Sequence, residues 1–402
     1  MRPIRLYLDS SDYSVLSDPK RRTPDLFNLL SQLRAWIEEG KVQCVFSGTH
    51  LSEMAPLNGA IDAAERRADL LSDLCGQNAL VSQDVLFTKE FRVALGQQNV
   101  GVTAYSGRGD WFPGGSLDVL PLEDVSIAGE IHLAVDKMQL NRKEKRKAKR
   151  FALRDGKPRR SVQEMLKKNA RIASLEEILA VYPMRPQDAR ILGRYVVGDV
   201  TKEEANEAFL NSLRDPRWMM QWFRQHHVKM TAFTEWIRDP AKTITDNFLK
   251  ISQEIALVRS NDKLLGRKTA DVTSNQWTLW QDDLLVSVSH KLAAALLGEP
   301  SVSFTAEDID QSCPGLSTGI RALHSSWWSA MVATPRKPKL SDFPDALHAM
   351  YAPYVDVFRA DSFMAPYIKR YSARYGTQVV PKLTLLKSTI DTLMSSSRAD
   401  VQ

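Results

Sequence analysis

Cysteine is scarce and scattered. The three thiols, Cys44, Cys75 and Cys313, are odd in number, far apart and without C-x-x-C spacing, which argues against both a disulfide framework and a structural zinc site. Long apolar runs are missing too: no stretch approaches the roughly 20 residues of a membrane-spanning helix. Met1-Arg2-Pro3 leads straight into a strand-like segment with no apolar signal region, so a cytoplasmic location and no membrane partner are expected. There is no fixed repeat period and no RNA-reading signature of the RRM or KH type. What remains is a chain of 402 residues, 43% apolar and 25% charged, an ordinary soluble globular composition with length for two or three domains.

The most informative stretch lies near the end, from Asp342 to Lys369. Leu347, Met350, Tyr351 and Tyr354 follow helical spacing, and Pro344 stands one residue before Asp345, where a first turn tolerates proline. A short helix with a carboxylate at its start is expected. Tyr354, Val355, Val357 and Phe358 then read as a strand around Asp356 that stops at Arg359-Ala360-Asp361. The amino terminus repeats the theme. Ile4 to Leu8 reads as a strand ending in Asp9-Ser10-Ser11-Asp12, and Val42 to Phe46 as a second strand followed by Ser47-Gly48-Thr49-His50-Leu51-Ser52-Glu53. If a helix starts near Gly48 or Thr49, Glu53 lies about one turn in. Open α/β sheets place their sites at the carboxyl ends of their strands, so four acids from distant parts of the chain can meet at one edge.

These fragments resemble the PIN-like nucleases. The matching pattern is a first strand ending in Asp (L-Y-L-D-S, Asp9), an acid early in the helix after the second strand (T-H-L-S-E-M, Glu53), an Asp opening a later helix (D-A-L-H-A, Asp345) and an Asp after the next strand (V-F-R-A-D, Asp361). Order and context both match over roughly residues 1–98 and 336–395, under half the chain. One position departs: many members carry Ser or Thr two residues before the last Asp, and here Arg359 stands there. The resemblance implies an α/β, three-layer core with a mostly parallel sheet, discontinuous over residues 1–100 and 336–402, and a large all-α insertion over 101–335. Read singly, each acid is also an ordinary loop or helix-capping carboxylate. Asp12 and Asp342 are candidate supporting acids, and Asp356 an edge residue inside its strand. His50 and His348 are the histidines beside the acids, His348 three residues after Asp345.

Elsewhere the pattern is mostly helical. Residues 24–39 carry an apolar stripe of Leu26, Leu29, Leu30, Leu33, Trp36 and Ile37 closed by Gly40, a helix by periodicity. A long helix is expected over Gly48–Cys75, broken at Pro56, a short strand at Leu80-Val81 and a helix over 84–96. Gly101 to Pro121 reads as a loop in which aromatics pack, and Asp124 to Leu140 as a helix. Helical spacing recurs over Gln163–Ala170, Leu175–Tyr182, Lys202–Leu213, Trp218–Ile237, Thr243–Val258, Trp277–Leu297 and Ile320–Val332, with stop signals that include Pro186 and Pro314-Gly315. The tryptophans on these helices read as core residues. Thr377 to Val380 is a last strand and Leu383 to Ser395 a closing helix.

Within the insertion, residues 141–160 hold 11 basic and 2 acidic residues, a net of +9 against +6 for the whole chain, so the rest is slightly acidic. Arg142, Lys143, Lys145, Arg146, Lys147, Lys149 and Arg150 make up its densest part. Such a block can be a solvated helix face, and it is equally the footprint that binds a phosphate backbone. Beside an acidic site, nucleic acid is the expected partner.

Carboxylates that converge repel one another and call for a cation, and oxygen-only ligands suit Mg²⁺ or Mn²⁺. Asp9 and Asp361 are expected as direct ligands, Asp345 as ligand or water positioner, and Glu53 as a further ligand or the base for the attacking water. By resemblance the activity is endonucleolytic, with RNA the commonest substrate in the family, and a toxin or defence effector held silent by an inhibitory protein partner fits the same pattern. The alternatives are a nucleic-acid-binding or assembly protein on a degenerate scaffold, and a structure-selective DNase.

Overall fold

The computed structural model describes residues 2–54, 61–97, 102–106, 110–111, 135–154, 157–159, 184–196, 199–213, 215–220, 274–298, 303–329, 339 and 342–399, with single positions between 246 and 265. The expected helices over 163–170 and 175–182, most of those over 124–140, 218–237 and 243–258, and the Pro335–Pro338 linker lie outside the described residues. The chain forms two compact units, Met1–Pro113 with His227–Gln402, and Gly114–His226.

The first unit is built on a four-stranded parallel sheet in the order β2-β1-β5-β6, with β1 at Ile4–Tyr7, β2 at Val42–Val45, β5 at Val357–Arg359 and β6 at Gln378–Val380. Tyr7 is in register with Val45 on one side and Phe358 on the other. Parallel pairing needs crossovers, and helices supply them here: α1 (Ser10–Ser17) and α2 (Pro24–Glu38) separate β1 from β2. Thr23 caps α2, accepting from Leu26 N–H, Pro24 takes the first turn, and Leu29, Leu30, Leu33 and Trp36 are buried. Gly40, at φ +67°, then reverses the chain into β2, a conformation that glycine adopts without steric cost.

After β2 come α3 (Gly48–Met54), α4 (Ile61–Cys75) and α5 (Gln83–Ala94). The helix expected over 48–75 is therefore two helices, with residues 55–60 outside the described positions. Leu80 forms a single bridge to Tyr105, and Trp111 is fully buried edge-on to Phe46, so aromatics of this loop do pack into the core.

The expected split at residues 100/101 and 335/336 differs from the compact units. Helices Ser274–Leu297, Ala306–Ser312 and Pro314–Trp328 belong with the sheet: Leu285, Ala293, Ile309, Leu316 and Ile320 share one buried cluster with Tyr7, Val45, Leu86, Phe91, Tyr351 and Phe358. Periodicity finds those helices but not the surface on which their apolar faces close. Their packing is tight. A Cβ at Gly319 would stand 2.5 Å from Met350 Cγ, and one at Gly315 2.6 Å from Met350 O, distances open only to glycine. Pro186 and Pro314, read in the sequence as stops, instead open helices Pro186–Val196 and Pro314–Trp328, because a first-turn residue needs no intrahelical N–H.

Near the end, helix Asp342–Ala349 is followed by a 3-10 turn, Ala352–Tyr354, so β5 starts at Val357, later than expected. Asp356 precedes the strand rather than lying in it; there it accepts from Arg5 N–H at 2.8 Å and pairs with Arg2 at 2.7 Å. Helix Ala365–Ser372, β6 and helix Leu386–Ala399 complete the unit.

In the second unit the basic segment is a helix, Arg142–Ala152, leading into a small antiparallel pair, β3 (Leu153–Arg154) and β4 (Lys157–Pro158). Helices Pro186–Val196 and Lys202–Leu213 pack together. Among the described residues no helix is long and apolar enough to cross a membrane.

Candidate functional site

All four strands of the sheet run the same way, so the segments after β1 and β5 leave from one edge. Asp9 follows β1 by two residues and stands in extended conformation (φ −77°, ψ 152°) as the N-cap of α1. Ser11 Oγ donates to its Oδ2 at 2.6 Å. Asp361 follows β5 by two residues, and its Oδ1 accepts from Met364 N–H at 2.6 Å, capping the turn into helix Ala365–Ser372. Glu53 lies in α3, and Asp345 in the first turn of helix Asp342–Ala349. The capping role weighed for isolated acids is thus real for Asp9 and Asp361, and both carboxylates remain part of a larger set.

Electrostatics identify that set. The Asp345 carboxyl is pushed well above its ordinary value, first by burial and then by the negative charges of Asp9, Asp361, Glu53 and Asp342. Like charges that raise one another's proton affinity share a site. Three of the acids expected from the sequence, Asp9, Asp361 and Glu53, therefore act on the fourth, Asp345. Among the described residues, however, no group of three or more His, Cys, Asp or Glu side chains is arranged to hold a metal ion.

Glu53 is tuned the other way. Burial pushes its carboxyl up, but His348, with Ser10 and His50 behind it, more than offsets this and leaves it below its ordinary value. His348 Nε2 lies 2.7 Å from Glu53 Oε2 and 3.4 Å from Ser10 Oγ, and Nδ1 lies 2.5 Å from Tyr7 Oη. Tyr7 Oη is in turn 2.7 Å from Ser47 Oγ. His50, beside this chain, is held neutral: burial and the nearby His348 push it down to about 3, while its Nε2 meets Leu8 O at 2.8 Å and its Nδ1 accepts from Ser47 N–H at 3.1 Å. The sequence pointed to His348 and His50 but not to Tyr7, Ser10 or Ser47. The available signal was the position of Ser47 and Ser10 just beyond two strand ends.

Arg359, the last residue of β5, has a structural partner. Its guanidinium pairs with Asp12 at 3.0 Å, both groups nearly buried, and donates to Val380 O at 3.3 Å. Asp12 also accepts from Asp9 N–H at 3.1 Å. Where a hydroxyl was looked for, an arginine braces the turn that carries Asp9.

In the second unit, helix Arg142–Ala152 is capped by Asn141, whose side chain accepts from Lys143 and Glu144 N–H. None of its residues is buried. Lys149 pairs with Asp136 at 2.8 Å and Lys145 donates to Asp136 O at 2.6 Å. Among the described residues no carboxylate pairs with Arg142, Lys143, Arg146, Lys147 or Arg150, and Phe151 beside them is 79% exposed.

No protein-family model, curated protein or solved structure matches this chain.

Proposed function

We propose that this chain is a metal-dependent endonuclease acting on RNA, with Asp9, Glu53, Asp345 and Asp361 as the carboxylates that hold Mg²⁺ or Mn²⁺. The observation that carries this reading is the gathering of acids around Asp345, whose carboxyl is pushed up first by burial and then by Asp9, Asp361 and Glu53, at the carboxyl edge of a parallel sheet. An oxygen-only, negatively charged donor set of this kind fits a hard divalent ion. When bound, such an ion supplies the positive charge that stabilises the attacking and leaving oxygens of an in-line displacement at phosphorus.

The chain's own groups divide the remaining work. Glu53, kept ionised by His348, accepts the proton of the attacking water. Asp9 and Asp361, each anchored by a local hydrogen bond, supply two carboxylates held in place. Asp345, whose carboxyl burial and its acidic neighbours push up, would complete the donor set. The water oxygen bonds to phosphorus, the phosphorus–oxygen ester bond breaks, and one fragment keeps the phosphate while the other regains a hydroxyl. The helix carrying Arg142, Lys143, Lys145, Arg146, Lys147, Lys149 and Arg150 supplies backbone affinity through counterion release.

A second reading is a nucleic-acid-binding protein without cleavage. It is favoured by Arg142, Lys143, Arg146, Lys147 and Arg150, which have no carboxylate partner among the described residues and need no acidic site to bind phosphate. The deciding experiment is cleavage of labelled single-stranded RNA and DNA in Mg²⁺, Mn²⁺ or EDTA, with Asp9→Asn and Asp361→Asn in parallel. Metal-dependent cutting abolished in both variants supports the nuclease; binding without cutting in any metal favours the second reading.

A further inference from the structure

The hydrogen bonds around His348 have a direction. A carboxylate only accepts, so the 2.7 Å contact with Glu53 Oε2 requires the proton of His348 on Nε2. In the neutral ring the other nitrogen is an acceptor, and the donor facing it at 2.5 Å is Tyr7 O–H. Having given its proton to the ring, Tyr7 oxygen accepts from Ser47 O–H at 2.7 Å. Next to it, Leu8 O can only accept, which places the proton of His50 on Nε2 and leaves Nδ1 to take Ser47 N–H. Every donor in the cluster thus finds one acceptor without conflict.

This wire joins three of the four segments that carry the acids. Tyr7 and Ser10 flank Asp9, Ser47 precedes α3 with Glu53, and His348 lies three residues after Asp345 on one helix. Tyr7, Ser47, His50 and His348 are all buried, and Tyr7 is further clamped by stacking on Phe358 at 5.1 Å. A free glutamate loses rotamer entropy when it is ordered. Here that ordering is already in place before any ligand arrives.

We propose that His348, fixed in its Nε2–H form by Tyr7 and Ser47, is the positioning residue that holds Glu53 in the acidic pocket, with one carboxylate oxygen committed to the imidazole and the remaining acceptor capacity turned to a divalent cation or water. Its effect on cation binding and cutting rests on the function proposed above; the placement of the ring proton and the grip on Glu53 do not. Passing the constraint from Tyr7 to Glu53 takes a side chain with both a donor and an acceptor edge, as a neutral imidazole has.

The test uses the full chain. Mn²⁺ binding is titrated calorimetrically for wild type, His348→Leu, His348→Gln and Tyr7→Phe, with circular dichroism to check folding and RNA cleavage in parallel. Loss of an outer-shell partner costs about 10–100-fold in metal affinity; His348→Leu shows that loss, Tyr7→Phe shows part of it, and His348→Gln, which keeps an N–H at the same reach, recovers most of it. A folded His348→Leu with wild-type affinity and cutting overturns the proposal, and so does a His348→Gln no better than His348→Leu. Nitrogen-15 NMR of the imidazoles in wild type and Glu53→Ala supplies a readout that needs neither metal nor activity. A proton on Nε2 whose resonance shifts when Glu53 is removed supports the proposal even if His348→Leu fails to fold or wild type binds no Mn²⁺, the latter result counting only against the cation site. A proton on Nδ1, or no response to Glu53→Ala, overturns it.

Discussion

Arg359 reaches Asp12 at 3.0 Å although 347 positions separate them, and the pair joins the end of β5 to the first turn of α1. Burial pushes the Asp12 carboxyl up to about 7, and Arg359 is the largest influence pulling it down. The folded value exceeds the ordinary 3.8, so the folded state holds the extra proton between the two, and the contribution of this carboxyl to stability falls as pH rises through that window. Removing the arginine steepens the fall. Arg359→Met is expected to cost about 3 kcal/mol at pH 8, where the carboxylate is left buried and unpaired, and much less near pH 5. Urea unfolding at the two pH values checks this; equal losses would reject it. Arg359→Thr, which places a hydroxyl at this position, should destabilise in the same way.

Asp345→Asn is expected to move stability and function in opposite directions. The buried carboxyl is destabilised by four neighbouring acids, so the amide should raise the melting temperature in EDTA at pH 8, by an amount equivalent to about 1–2 kcal/mol for one relieved like-charge contact. The gain should shrink toward pH 4, where wild-type Asp345 is protonated. Cutting should be lost at every pH. A variant less stable than wild type at pH 8 would show that the repulsion is already relieved in another way.

Glu90 joins α5 to the start of helix Pro314–Trp328. Its carboxyl accepts from Gly315 N–H at 2.6 Å and Leu316 N–H at 3.1 Å, and from Tyr354 O–H. Burial pushes this carboxyl up to about 7. Glu90→Ala strands two backbone donors and a phenol, and is expected to lose about 3 kcal/mol. Glu90→Gln keeps a carbonyl oxygen for one helix N–H and should lose roughly half as much. Chemical denaturation of both variants tests the order.

Lys143, Arg146, Lys147 and Arg150 have no carboxylate partner among the described residues and lie on a helix without buried positions. Replacing all four by Gln should leave the melting temperature unchanged. Affinity for single-stranded RNA should fall and the slope of log K against log salt should flatten by up to about 3, at about 0.7 per lost phosphate contact. Fluorescence anisotropy from 50 to 300 mM salt measures both. An unchanged slope would place the phosphate contacts elsewhere.

Local pattern carried much of the fold. The strand over Val42–Val45, the helix over Pro24–Glu38 and the start of α3 at Gly48 lie within a residue or so of where alternation, periodicity and capping put them. Asp9, Glu53, Asp345 and Asp361 were legible because strand ends and helix starts announce themselves in short windows. Long-range pairing was not. Nothing near Arg359 signals Asp12, and nothing near His348 signals Tyr7, 341 residues away. The placement of Ser274–Trp328 on the sheet was hidden for the same reason: an amphipathic helix declares that one face is buried, not what buries it. Pro314 misled because proline stops a helix and starts one with equal force.

The order of the strands sets a timetable for synthesis. β1 lies between β2 and β5, and Tyr7 meets Phe358 about 350 residues after it is made. At about 5–20 residues per second, the apolar edge of β1 waits roughly 20–70 s on the ribosome for its second neighbour. Throughout that interval the nascent chain presents an unpaired parallel edge, the feature that invites pairing with other chains. Ribosome-associated chaperones are thus expected to bear on the yield of this protein more than its final stability does.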